Sequence, residues 1–73
     1  MEKFILSLTK GNDKTILSVH NTKAEAMADG ERIIKKLPAN SGLLTVLYGG
    51  IDENNNIVGK SYKLYHAWIW FKA

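Results

Sequence analysis

Apolar and polar residues alternate over positions 3–9, with Phe4, Leu6 and Leu8 on one side and Ile5, Ser7 and Thr9 on the other. A period of two is that of a half-buried strand. Lys10, Gly11, Asn12 and Asp13 supply turn chemistry, because glycine and asparagine tolerate positive φ. Positions 15–20 then resume the alternation, with Leu17 and Val19 as core positions, so the two runs predict a hairpin.

At position 21 the period changes. Over 21–37, at about 100° per residue, Ala26, Met27, Gly30, Ile33, Ile34 and Leu37 fall on one stripe, with Glu25, Asp29, Arg32 and Lys36 opposite. Thr22 followed by Glu25 fits a capping box, in which the hydroxyl takes the N3 amide and the carboxylate reaches back to the N-cap amide. Pro38 cannot continue the amide ladder and disfavours helical geometry at Leu37, so the helix is expected to end near Lys36. Acids precede bases along it, as the helix dipole prefers. Gly30 is out of place, since glycine inside a helix costs about 1 kcal/mol relative to alanine. Its position in the apolar stripe predicts a bulky partner, either a closely approaching sheet or an aromatic ring.

After a loop at 39–42, the run LLTVLY at 43–48 is the most β-prone in the chain and predicts a third strand. Gly49 and Gly50 end that strand or make a bulge in it. The polar stretch 52–56 is a hairpin tip, and 57–63 returns as a fourth strand. The tail that follows carries Tyr62, Leu64, Trp68 and Trp70 at one parity and Tyr65, Ala67, Ile69 and Phe71 at the other, so both of its faces are apolar. Leu64, Trp68 and Phe71 also fit helical spacing, which leaves a short helix as an alternative for the tail. The expected fold is α+β, in the order β-β-α-β-β: a four-stranded, mostly antiparallel sheet with one helix on one face. Its stripe would pack on Phe4, Leu6, Leu8, Leu17, Val19 and alternate residues of the third strand.

A chain of 73 residues is a single domain, 1–73, and at this size folding hides only about 60% of the surface of the unfolded chain. It has no cysteine, hence no disulfide or thiolate zinc site to compensate. A strand greasy on both faces needs cover on both, and one helix supplies it once. The sequence therefore predicts association, as a homodimer or with a protein partner, through Tyr62, Leu64, Tyr65, Trp68, Ile69, Trp70 and Phe71. The start of the chain has five mostly apolar residues, FILSL, too few for a signal sequence or a membrane span, so a cytoplasmic location without membrane contact is expected.

The net charge is +3, and Arg32 is the only arginine among ten basic residues. That excess permits loose contact with phosphates, but scarce arginine argues against bidentate reading of base edges. Lys60, Lys63, Tyr65 and Trp70 make a single-stranded or nonspecific nucleic-acid surface the second reading, with lysines on phosphates and rings stacked on bases. Core or interface duty for Trp68 and Trp70 takes precedence, because large rings are what a core this small otherwise lacks.

Catalytic chemistry finds little support. His20 and His66 lie on different elements without metal-ligand spacing, and the carboxylates nearest His20 in sequence are Asp13 and Glu25. Ser7, Ser18, Ser41 and Ser61 lack a nucleophile-elbow setting, and no glycine-rich phosphate loop leads into the helix. Asp52 and Glu53 are adjacent on an exposed tip. The sequence predicts no enzyme, no catalytic residue, no cofactor and no metal.

Thr22, Lys23, Ala24, Glu25 and Ala26 at the helix start, with Leu44, Val46, Gly50, Asp52 and Ile57 in the hairpin after it, resemble short bacterial and phage-associated proteins of unknown function built as hairpin, helix, hairpin. The resemblance covers roughly residues 15 to 60. It departs in the aromatic last strand and in Glu53, Asn54, Asn55 and Asn56, where a tight Asp-Gly turn is usual. It implies the order of elements and no activity or ligand.

Overall fold

The computed structural model describes residues 2–38 and 40–68, without the side chains of Lys60 and Ser61. It is a small α+β fold, a curled antiparallel sheet with one helix. The elements are β1 (Glu2–Lys10), β2 (Asp13–His20), α1 (Lys23–Ile34), β3 (Leu43–Ile51) and β4 (Ile57–Trp68), and the sheet order is β2-β1-β3-β4. β1 and β3 are therefore central, paired without a break from Glu2 opposite Gly50 to Thr9 opposite Leu43. β2 and β4 are the two edges.

Thr22 caps α1 in extended geometry, its hydroxyl accepting the Glu25 N–H at 3.2 Å. The Glu25 carboxylate accepts from that same hydroxyl at 2.9 Å. The last turn tightens ahead of Pro38: both the Lys36 and Leu37 N–H groups donate to Ile33 O, at 2.9 and 3.1 Å, so the regular helix stops at Ile34.

Ala26 of α1 joins Leu6, Leu44, Val46 and Trp68 in a buried cluster, with Phe4, Leu8, Met27, Ile33, Ile34 and Leu37 packed around it. The bulky partner expected at Gly30 is the indole of Trp68. A Cβ on Gly30 would lie 2.1 Å from its Cη2 atom. The indole N–H donates to Glu31 Oε1 at 3.0 Å, so a ring 7% exposed leaves no polar atom unpaired.

Leu17 and Val19 do not join this cluster. A bulge in β2 sets Leu6 opposite Ser18 and Ser7 opposite Ile16, and Leu17 falls between them, 37% exposed. Strict alternation fails past a bulge because the extra residue reverses the parity of all that follow. Val19 stands opposite Ile5, on the side of the sheet away from Leu6.

That other side is buried as well. Ile5 and Ser7 are fully enclosed, and Ser7 Oγ and Thr45 Oγ1 bond each other at 2.9 Å. The reading of β1 as a half-buried strand is thus corrected: both of its faces are covered, because the sheet curls. β3 and β4 lose register at Gly49, where the stretch 59–62 bulges out of β4. Gly59 takes φ +101°, and the Tyr62 ring lies on the bare Gly49 backbone, with Cδ1 2.0 Å from where a Cβ would be. The bend carries the hairpin round toward β2, bringing the Lys14 ammonium 5.9 Å from the Tyr62 ring centre. The described part of the tail, through Trp68, is strand and not helix.

Candidate functional site

The residues named for self-association divide between core and surface. Trp68 is spent inside the chain, and His66 stands edge-on to it with ring centres 4.4 Å apart. Tyr62 covers Gly49 and donates its hydroxyl to Gly59 O at 3.2 Å. Tyr65 is the extra residue of a second bulge, between the pairs Val46–His66 and Leu47–Leu64. Its ring joins Phe4 and Tyr48, at 5.4 and 6.0 Å, while the Lys23 ammonium sits 5.5 Å from its outer side. Leu64 is different. It is 59% exposed on an edge strand, the most exposed of the large apolar side chains described, with Val58 at 46% on the same strand. Ile69, Trp70 and Phe71 lie outside the described residues, as does the side chain of Lys60; Lys63 is exposed.

The two histidines do not meet each other's partners. His20 closes β2, and its Nε2 lies 2.8 Å from Ser18 Oγ and 3.4 Å from Asp29 Oδ2. Ser18 donates its proton to Asp29 Oδ2 at 2.7 Å, so its oxygen accepts from the imidazole N–H. Arg32 bonds the other oxygen of the same carboxylate. The hydrogen bonds from Ser18 and Arg32 hold the Asp29 carboxyl below its ordinary pKa. In a Ser-His-acid relay, acid and serine sit on opposite ring nitrogens. Here they share Nε2, and the serine proton points at the acid, so the trio ties the end of β2 to the middle of α1. Asp29 was expected on the wet face of the helix, yet its side chain is only 17% exposed, since the bulge turns Ser18 toward it. One usable hint of this stands in the chain: Ser18 interrupts the apolar β-formers Ile16, Leu17 and Val19.

Among the described residues, clefts adjoin the sheet in at least two places. One, of about 550 Å³, is lined by Glu2, Tyr48 and Lys63 and by the bare backbone of Gly49, Gly50 and Gly59. Glu2 beside Tyr48 raises the phenol pKa. The other, of about 460 Å³, runs between residues 14–19 of β2 and residues 54–56 of the hairpin tip. That tip is built on Asp52, whose Oδ1 accepts the N–H groups of Asn54 and Asn56 at 2.8 and 2.9 Å. The same bonds lower the Asp52 pKa. Among the described residues, no group of three His, Asp or Glu side chains converges as a metal site, and no helix is long and apolar enough to cross a membrane.

No protein-family model matches this chain, and no curated protein or solved structure shows significant similarity to it.

Proposed function

We propose that this protein is a small cytoplasmic interaction module that pairs with a second copy of itself through the edge of β4. In this reading the order is β-β-α-β-β, the helix covers one face of the sheet, and the curled hairpin closes the other. What remains open is an edge. The observation that carries the proposal is Leu64, 59% exposed on an edge strand where Val58 and Tyr65 are also partly bare. Burying a leucine side chain fully stabilises by about 1.5–3 kcal/mol, and a two-fold pair of β4 strands would bury it twice and satisfy two rows of backbone groups.

Light scattering over a dilution series tests this, with Leu64→Glu as the partner variant. A dimer that becomes a monomer in the variant, at unchanged circular dichroism, is the expected result. A wild-type monomer at every concentration refutes the proposal, and so does a dimer indifferent to Leu64→Glu. Trp68 does not serve this test, because it packs inside the chain and a change there would alter stability as well as association.

Exposed Lys63 beside Tyr65 on the same strand is the observation that favours nucleic-acid binding as a second reading. It requires affinity for an oligonucleotide that falls steeply with salt, and a titration at two salt concentrations decides it.

A further inference from the structure

We propose that the groove between β2 and the hairpin tip binds an extended peptide segment of a partner protein, added to β2 as a strand with an acidic side chain placed at Lys14. β2 is a sheet edge, and an edge presents a row of unpaired backbone groups. Edges are commonly blunted by charge or proline, yet residues 15–19 of β2 read TILSV and carry neither. Leu17, thrown outward by the bulge, adds an apolar contact beside the edge. Residues 14–19 offer ~20 Å of strand at ~3.3 Å per residue.

The opposite wall is equally specific. Three successive asparagines stand at the tip, with Asn55 in left-handed geometry at φ 61°. The N–H groups of this turn are committed internally: Asp52 takes those of residues 54 and 56 on its side chain and that of Asn55 on its carbonyl. Asn54 and Asn55 both line the groove and are exposed, and a side-chain amide both donates and accepts, as does the free side of a peptide backbone. Among the described residues Lys14 is the one charged residue lining the groove, and it selects an acidic partner residue. A second copy of this chain does not fit, because each of its edge strands already has a neighbour along one side and this groove is walled on both. A single extended segment does fit, as in strand addition to other sheets.

The probe is the capped hexapeptide Ac-EVTVTV-NH2, titrated into the isotope-labelled full chain and followed by NMR. Shifts are expected at the backbone amides of residues 14–19 and at the side-chain amides of Asn54 and Asn55. The double variant Asn54→Ala, Asn55→Gly removes both amides while glycine keeps the left-handed turn. It should weaken binding about ten-fold, the loss of one or two net hydrogen bonds. The same peptide with alternate backbone nitrogens methylated should not bind, and replacing its glutamate with glutamine should weaken it. Leu64→Glu should leave binding unchanged, which separates failure of this site from failure of β4 pairing. The proposal is overturned by the absence of shifts at millimolar peptide or by shifts confined to β4. Shifts in β2 that come from raising the protein concentration without peptide overturn it too, since a second copy would then be the occupant.

Discussion

Gly30→Ala sets helix propensity against packing at one atom. In an exposed helix interior the change stabilises by about 1 kcal/mol. At position 30 the new Cβ would stand 2.1, 2.6 and 2.7 Å from three ring carbons of Trp68. Carbon atoms rest at about 3.5–4.0 Å, so the indole would have to withdraw by ~1.5 Å. It has nowhere to go cheaply, being 7% exposed and bonded to Glu31 at 3.0 Å. Overpacking of this kind costs about 1–3 kcal/mol, and a disturbed hydrogen bond about 1 kcal/mol more. Packing wins, and the net loss is about 1–3 kcal/mol. In a domain of this size each kcal/mol moves Tm by about 4–8 °C, which thermal and urea unfolding followed by circular dichroism resolves. The same substitution in a Trp68→Leu background meets no ring, so its sign should reverse. A Gly30→Ala protein with raised Tm, or one equally destabilised in both backgrounds, would refute the packing account.

The remaining expectations follow from single contacts. Ser7→Ala orphans the buried Thr45 hydroxyl and should cost about 1–3 kcal/mol in urea unfolding; adding Thr45→Val should recover part of the loss. Gly42→Ala places a Cβ 2.4 Å from the Thr9 carbonyl at φ +124°, so a Tm drop larger than for any alanine on the outer helix surface is expected. Asp29 is a carboxyl with a depressed folded pKa, so its stabilisation is present above the unfolded value of 3.8 and is lost as pH falls through the lower folded value. The stability gap between wild type and Asp29→Asn, measured by urea titration at several pH values, should therefore shrink on acidification below that value.

Local chemistry made the helix legible, because Thr22, Glu25 and Pro38 act on backbone groups within a turn of themselves. Gly30 announced a bulky neighbour for the same reason, as a helix does not carry a glycine in its apolar stripe without cause. That the neighbour is Trp68 depends on closure between residues 38 positions apart in sequence, which no local pattern encodes. The bulges mark the other limit. Alternation places Leu17 in the core and Ser18 outside, and one unpaired residue inverts both, which also hides the link from Ser18 to Asp29. The two-sided apolarity read in the tail is found, among the described residues, in the central strands, where Ile5 and Leu6 are both fully buried. A central strand in a curled sheet is enclosed on both faces, and its alternation is then no guide to what is wet.

Gly59 is where the curl and the groove can be tested together. Its φ of +101° lies where side chains are rarely found, and no atom stands within 4 Å of a Cβ there, so Gly59→Ala introduces backbone strain with no steric clash. Such strain costs about 1–3 kcal/mol. The bend at 59–62 carries the tip toward β2, so relief of that strain should straighten the hairpin and widen the groove while the helix-side cluster around Trp68 stays intact. Amide exchange separates these regions: the Asn55 N–H, bonded to Asp52 O at 3.1 Å, reports on the tip, and the Ala26 N–H, bonded to Thr22 O at 3.2 Å, reports on the helix. Faster exchange at the tip region, lost contact between Lys14 and Tyr62, and an unchanged helix are the expected results. Equal loss of protection everywhere would mean that the bend at Gly59 is coupled to the whole fold, and that the curl is a consequence of core packing instead of a hinge written locally into β4.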